Sequence, residues 1–181
     1  IQTSLDFSYG YGASLGQLTI NLSSVSLSSS PTLGSIFSSV SGFSSYSVYL
    51  GPGNIGYSAA DQNDLIVGGP GANILYSLGG YDTIYGMSGD DQLYGGDDGD
   101  RLAGGDGSDL IHGEAGNDLI YSQHDGAFET EHKIDTLHGD DGDDAVVGGG
   151  GDLLYGDAGV DTLYLSFSTN TSGIIADFTN A

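Results

Sequence analysis

Residues 104–121 read GGDGSDLIH followed by GEAGNDLIY, two nonapeptides that share one pattern. Each begins with glycine, places aspartate sixth and places a large aliphatic residue eighth. In rows of nine counted from Ala59, the pattern continues to Tyr164, with an insertion at 122–129 and one row, around Asp152, that is a residue short. A tandem repeat of this kind predicts an array of stacked, equivalent units.

The sixth and eighth places of the rows are the most regular. The sixth place holds Asp64, Asn73, Asp82, Asp91, Asp100, Asp109, Asp118, Asp135, Asp144, Asp152 and Asp161. The eighth place holds Ile66, Leu75, Ile84, Leu93, Leu102, Ile111, Ile120, Leu137, Val146, Leu154 and Leu163. Strand alternation turns the eighth residue inward, and the six residues before the strand form a turn. A disordered acidic linker would have no reason to keep an aliphatic residue two places after each acid, so the pattern indicates a folded array.

Over residues 59–164 the rows resemble the RTX (repeats-in-toxin) family, whose motif is G-G-x-G-x-D-x-U-x with U a large aliphatic residue. The resemblance implies an all-β, right-handed parallel β-roll in which two rows make one coil. Residues 1–58 would form a serine-rich β flank or a connecting unit, and residues 165–181 a trailing β segment, which one interpretation makes the start of the next unit. Ala59-Ala60 and Ser77-Leu78 depart from the motif because they replace its glycine pair.

The resemblance also implies several bound Ca²⁺ ions, held by the sixth-place side chains and by backbone carbonyls of the turns. Carboxylate and carbonyl oxygens are the ligands that Ca²⁺ prefers. Asn73 lacks a carboxylate, so a weakened or water-completed site and a full site are equally open there. The turn glycines expected at the sites are Gly69, Gly71, Gly89, Gly96, Gly105, Gly107, Gly116, Gly142 and Gly159.

Charge and core size both point to folding that depends on the cation. The chain has 25 acidic residues against Arg101 and Lys133, a formal net charge of -23. Stacked turns would bring sixth-place acids to about 4.8 Å, where they repel one another. One buried aliphatic side chain per row cannot offset the ordering of its backbone. We therefore expect the chain to fold on binding Ca²⁺.

The same charge balance argues against several partners and compartments. Nucleic acids and anionic membranes need clustered Lys and Arg, which this chain lacks. The absence of cysteine excludes disulfides and thiolate chemistry. There is no long apolar stretch and no basic leader, and the first residue is Ile1, so we expect a fragment or processed piece without membrane insertion.

The flanks predict short β-strands. Residues 17–22 and 45–50 alternate polar and apolar side chains. The sequence of residues 5–8 is similar to that of residues 165–168, and the sequence of residues 18–22 is similar to that of residues 174–178. One explanation of these similarities is that the chain is one period of a longer tandem array whose copies would stack. A chance similarity between serine-rich strands explains them equally well.

Histidines and tyrosines are further candidates for binding chemistry. The histidines are His112, His124, His132 and His138, and Asp125, Glu129 and Glu131 lie beside two of them. A zinc or nickel site there is conceivable, but the lack of a defined ligand spacing favours an exposed acidic loop.

Ninth-place tyrosines would line the outer faces of the roll. There they would stack on a glycan, or their presence would simply reflect the strand propensity of tyrosine. They are Tyr76, Tyr85, Tyr94, Tyr121, Tyr155 and Tyr164.

These patterns predict a binding and structural module rather than an enzyme. No catalytic motif is recognised, and no serine has an evident His and Asp partner. Similarity to RTX proteins implies export through a type I secretion channel and folding outside the cell, as in an adhesin or surface-layer protein. The alternative is a calcium-dependent accessory module of a secreted protease, lipase or polysaccharide-modifying enzyme whose catalytic residues lie elsewhere.

Overall fold

The structure, a computed structural model, describes residues 61–123 and 133–165, together with the backbone of four further short strands. In this part of the chain every regular element is a β-strand, and no helix is long and apolar enough to cross a bilayer. The strands are β1 (Leu18–Asn21), β2 (Tyr46–Tyr49), β3 (Gly56–Ser58), β4 (Leu65–Val67), β5 (Ile74–Gly79), β6 (Thr83–Ser88), β7 (Gln92–Asp97), β8 (Arg101–Asp106), β9 (Leu110–Ala115), β10 (Leu119–Tyr121), β11 (Thr136–His138), β12 (Ala145–Gly148), β13 (Leu153–Tyr155), β14 (Thr162–Leu165) and β15 (Ile175–Asp177).

The strands form two parallel sheets between which the chain alternates. One sheet has the order β1-β2-β4-β6-β8-β10-β12-β14, and the other has the order β3-β5-β7-β9-β11-β13-β15. Each strand pairs in parallel with the strand one coil away, as Leu75 pairs with Leu93 and Ile84 with Leu102. Two rows therefore make one coil, which confirms the all-β fold class and the parallel β-roll.

The core is a single column of eighth-place side chains from each sheet. From Ile66 to Leu154 each of these side chains is fully buried, whereas Leu163 in the last coil is partly exposed. In β5 exposed and buried residues alternate strictly, because successive side chains of a strand point to opposite faces of the sheet. The short strand of each row therefore directs one aliphatic side chain into the space between the sheets. In the described part of the chain the core is therefore narrow, as one aliphatic side chain per row predicts.

The turns use a left-handed backbone at the second and fourth places of a row. The fourth place has positive φ at Gly71, Gly80, Gly89, Asp98, Gly107, Gly116, Gly142, Gly151 and Gly159. A Cβ on Gly89 would lie 2.6 Å from the carbonyl carbon of Gly71, so stacked turns leave no room for a side chain there. The second place has positive φ in most rows, yet it accepts Leu78, Met87 and Glu114 there. This explains how the Ser77-Leu78 row keeps its turn without a glycine pair.

Two irregular rows change the sequence spacing but not the stacking. Asp109 and Asp135, which stack on each other, are 26 residues apart, whereas Asp91 and Asp109 are 18 apart. The N–H of Gly105 donates to the carbonyl of Ser122. Ser122 therefore takes the first place of the turn that stacks on the turn of Gly104, one coil further on. The extra residues therefore follow Ser122 instead of beginning with it.

The outer strands belong to the same two sheets as the repeats. Strands β1 and β2 lie within the alternating runs at 17–22 and 45–50, and β2 pairs with β4. Strand β3 pairs with β5, and β15 pairs with β13 at the other end. The backbone of the roll thus continues beyond the repeats on both sides.

Candidate metal centre

The sixth-place side chains form two ladders, one at each edge of the roll. In each ladder the backbone N–H of one sixth-place residue donates to Oδ1 of the aspartate one coil further on, at 2.6–3.1 Å. This holds for every donor from Asp64 to Asp144. The ladder thus uses one carboxylate oxygen of each aspartate to connect successive coils, and it leaves the second oxygen for another contact.

The second oxygens point into a small space beside the first-place glycine of the same row. A Cβ on Gly86 would lie 2.5 Å from Asp91 Oδ2 and 2.5 Å from the carbonyl oxygen of Gly104. A Cβ on Gly95 would lie 2.5 Å from Asp100 Oδ2 and 2.6 Å from the Gly113 carbonyl oxygen. Only glycine keeps this space open. We call each such space, bounded by an aspartate Oδ2 and a first-place carbonyl, an oxygen cradle.

Five cradles are regular in the described part of the chain. Their Oδ2 atoms are buried and accept no hydrogen bond, and each row begins with glycine. The five aspartates are Asp91, Asp100, Asp109, Asp118 and Asp144. A buried carboxylate oxygen without a partner is costly, by several kcal/mol when the group is charged. The arrangement therefore requires either protons or cations on these oxygens.

Burial makes these carboxyl groups weak acids when no metal is bound. Removal from water, together with the nearby carboxylates of Asp82 and Asp118, raises the pKa of Asp100 to about 8, against the effect of the backbone hydrogen bond to Asp82. The same leading cause raises the pKa of Asp91 and of Asp109 to about 7. Negative charge in the ladder is thus strongly disfavoured unless a cation offsets it.

The cradles suit Ca²⁺ in the type of their ligands. Carboxylate and backbone carbonyl oxygens face the same space in each cradle, and a hard dication takes six to eight such oxygens. The aspartates would supply charge and the first-place carbonyls neutral oxygens, so that one ion would connect two coils. Bound Ca²⁺ would replace the repulsion between neighbouring carboxylates with attraction.

Three of the predicted sixth-place sites differ from the regular cradles. Asn73 accepts a hydrogen bond from the Gly69 N–H at 3.0 Å and donates one to the Gly71 carbonyl at 2.7 Å. In the short row Asp152 Oδ2 accepts from the Gly149 N–H at 2.7 Å. These two side chains bind their own turns.

At Asp82 the first place of the row is Ser77, not glycine. Its hydroxyl donates to the Gly95 carbonyl at 2.6 Å and so lies where other rows have open space. Burial raises the pKa of Asp82 to about 7, as in the regular rows. The carbonyl that a cation would use is therefore engaged by a side chain in this turn.

Asp64, Asp135 and Asp161 are members of the ladders at less regular positions. Asp64 and Asp135 are buried, and Asp135 follows the insertion. Asp161 in the last described coil is partly exposed and accepts from the Asp144 N–H at 3.0 Å. All three lie where the repeat places a ligand.

The predicted turn glycines have a different role from the first-place glycines. The fourth-place members and Gly96 and Gly105 have positive φ, whereas Gly69 donates to Asn73. The glycines that keep the cradles open are Gly86, Gly95, Gly104, Gly113 and Gly139, which are not among the turn glycines expected from the sequence. The sequence does indicate these positions, because almost every row begins with glycine.

Ninth-place side chains on one sheet form a continuous column of stacked rings. Tyr76, Tyr94, His112, His138 and Tyr155 follow each other with ring centroids 4.5–5.5 Å apart and planes within 9°. A sugar would stack on an open ring face, but these faces cover one another. Arg101, on the other sheet, lies over the Tyr121 ring. The histidines and acids at 124–132 lie outside the described residues.

Comparison with known proteins agrees with this geometry. The family model of the RTX calcium-binding nonapeptide repeat matches residues 58–93, 67–102, 94–123, 133–152 and 148–171, which together span more than half of the chain. No curated protein and no solved structure matches the chain. The repeat pattern, the parallel roll and the matched segments show that this chain belongs to the RTX calcium-binding nonapeptide repeat family.

Proposed function

We propose that this chain is a calcium-dependent structural module of a secreted or cell-surface protein of the adhesin or surface-layer type. The observation that carries the proposal is the ladder of buried carboxylates whose Oδ2 atoms face backbone carbonyls without a hydrogen-bond partner, as at Asp91 and Asp109. Such a ladder is unstable where calcium is scarce and stable where it is abundant. An exported chain would thus remain unfolded inside the cell and fold outside.

The module is proposed to act as a spacer rather than as a catalyst. Its buried acids are hydrogen bonded to the coil before them, as Asp100 is to the N–H of Asp82 at 2.8 Å, which suits a structural role. In the sheet orders of the described strands, β1 and β14 each have one neighbour. Such edges pair readily with further strands, so we expect adjacent coils or a further unit to continue the roll.

Limited proteolysis at two calcium levels tests the proposal. The chain is digested at free Ca²⁺ below about 1 μM, as in a cytosol, and at about 1–10 mM, as outside cells, the range in which extracellular calcium modules bind. We expect rapid cleavage throughout residues 61–165 at the low level and resistance at the high level. A chain that resists cleavage equally at both levels would not need export to fold, and the proposal would fail.

The spacer role is tested separately with two copies joined head to tail. Coil stacking across the junction would raise the thermal midpoint of the tandem protein above that of the single copy in the same calcium concentration, because each added interface contributes stability. Equal midpoints would show that the copies fold as separate bodies. That result would contradict the continuous spacer while leaving calcium binding intact.

A further inference from the structure

Two imidazoles lie side by side in the column of stacked rings. His112 on β9 is paired with His138 on β11, and their ring centroids are 4.7 Å apart. Nδ1 of His112 lies 2.9 Å from Asp140 Oδ2, and Nδ1 of His138 lies 2.8 Å from Asp157 Oδ2. Each imidazole thus contacts a carboxylate from the second place of the next coil. The result is a mixed nitrogen and oxygen cluster on the outer surface of the roll.

This cluster has the ligands and the dimensions of a transition-metal site. His112, His138 and Asp140 each offer one ligand atom, and these atoms lie within 4.8 Å of one another. Bonds of about 2.0–2.1 Å at a tetrahedral ion separate ligand atoms by roughly 3.3 Å. The contact between His112 Nδ1 and Asp140 Oδ2, at 2.9 Å, is already within this distance. Because the two imidazole rings are stacked, His138 would turn out of the stack to direct a ring nitrogen at the same ion. We propose that these three residues bind a zinc-type divalent cation, distinct from the Ca²⁺ of the cradles.

Ligand chemistry separates this cluster from the calcium ladders. Imidazole nitrogen suits Zn²⁺, Ni²⁺ and Cu²⁺, whereas Ca²⁺ takes oxygen ligands. The ion would take the place of the hydrogen between His112 Nδ1 and Asp140 Oδ2, and the neutral imidazole would then carry its hydrogen on Nε2. Asp157 is a positioning residue, because an Nδ1–H of His138 that donates to Asp157 Oδ2 leaves Nε2 as the nitrogen that can bind the ion.

Solvent can reach the cluster without an opening motion. The side chains of His112, His138 and Asp140 are about one-quarter to one-third exposed, at 26%, 24% and 30%. The ladders, in contrast, are buried. A metal ion from solution would therefore reach this cluster while the roll stays folded around Ca²⁺.

The position of the cluster gives the ion a structural role. Strands β9 and β11 pair directly, although the insertion lies between them in sequence. An ion held by His112 and His138 would cross-link the coil before the insertion to the coil after it. Binding to the folded state alone then stabilises the roll in proportion to the logarithm of the metal concentration.

The column itself supplies a matched substitution. Tyr94 and Tyr155 occupy the ninth place directly on either side of the two histidines. His112→Tyr and His138→Tyr therefore keep a stacked ring at each place and remove the metal ligand. His124 and His132 lie outside the described residues and are not among the three proposed ligands, so the double variant His124→Gln with His132→Gln is the control.

Isothermal titration calorimetry with zinc chloride, in calcium high enough to keep the roll formed, tests the site. We expect one saturable zinc ion per chain, loss of that binding in His112→Tyr and in His138→Tyr, and unchanged binding in the control. Asp157→Asn should weaken zinc binding by about 10–100-fold, as for other groups that orient metal ligands. Circular dichroism of each variant verifies that the roll is intact. Absence of saturable zinc binding, binding that survives both His→Tyr changes, or binding lost in the control would overturn the proposal.

Discussion

The backbone N–H of Asp82 donates to Oδ1 of Asp100 at 2.8 Å, while Oδ2 of Asp100 is buried and accepts no hydrogen bond. One carboxylate thus divides its two oxygens between two functions. The first holds the preceding coil, and the second faces the Gly113 carbonyl across the cradle. This division is the reason why we expect the stability of the ladder to depend on a cation.

Replacing Asp100 with asparagine should have opposite effects with and without calcium. The amide oxygen can still accept from the Asp82 N–H, but an NH₂ group would replace Oδ2 in the cradle. In about 10 mM Ca²⁺, and for a site with a Kd near 0.1 mM, the loss of one ion lowers the free energy of unfolding by about 2.7 kcal/mol. In chelator the variant should be more stable than the parent, because one buried charge is gone.

Denaturant unfolding and elemental analysis of bound calcium measure both effects for Asp100→Asn. The control is Asp97→Asn, which makes the same change of charge at an exposed side chain of the same turn. An equal loss of calcium in the two variants would show that overall charge, and not the cradle, holds the ion.

Filling a cradle should remove a calcium ion without removing a carboxylate. In Gly95→Ala the new methyl group would meet Asp100 Oδ2 and the Gly113 carbonyl oxygen, at 2.5 and 2.6 Å. We expect one ion fewer per chain and a higher calcium midpoint of folding. Gly79→Ala is the matched control, because its methyl group would be 3.8 Å from the nearest heavy atom. If both alanines shift the midpoint equally, the space beside Gly95 is not where calcium binds.

Acid should weaken calcium binding and favour the metal-free roll. Because the folded pKa of Asp100 is raised to about 8 and that of Asp109 to about 7, these groups bind protons more tightly in the roll than in the unfolded chain. Their contribution to stability is complete below the unfolded pKa near 4 and is lost as pH rises through about 7–8. Calcium-stripped protein should gain β structure between about pH 8 and pH 5, while the calcium midpoint rises.

Circular dichroism of calcium-stripped and calcium-titrated samples across this pH range checks the expectation. Metal-free protein that loses structure on acidification would show that the buried carboxyl groups are ionised and paired in the apo state. The sign of the effect is therefore decisive.

Truncation of a core side chain should lower the free energy of unfolding most in the middle of the roll. Leu93 is fully buried between the sheets, so Leu93→Ala should lower the free energy of unfolding by about 2–5 kcal/mol in saturating calcium. Leu163 is partly exposed in the last described coil, so Leu163→Ala should lower the free energy of unfolding much less. Chemical denaturation of the two variants gives the comparison, and equal losses would contradict a core that thins at the end of the roll.

Much of this structure follows from the repeat itself. A period of nine residues with one aliphatic and one acidic place determines both the core column and the two ladders, because equivalent rows must stack equivalently. The eighth-place residues from Ile66 to Leu154 are accordingly all buried. The sixth-place residues occupy the ladders as expected, and the family match agrees.

The features that escaped prediction depend on which rows face each other. The hydroxyl of Ser77 enters a cradle because the Gly95 carbonyl lies one coil above it. His112 and His138 stack because the insertion is accommodated after Ser122 and leaves the pairing of β9 with β11 intact. Once the insertion is set aside, the two histidines stand ninth in rows that are two apart, so what the repeat left open was whether the stacking continues across the insertion.

A calcium titration followed by far-UV circular dichroism tests the central claim most directly, namely that the cation supplies the stability of the roll. Starting in excess chelator, the protein should show little β signal, and it should gain that signal cooperatively as free Ca²⁺ rises into the millimolar range. A full β spectrum in excess chelator at neutral pH, unchanged by added calcium, would contradict it.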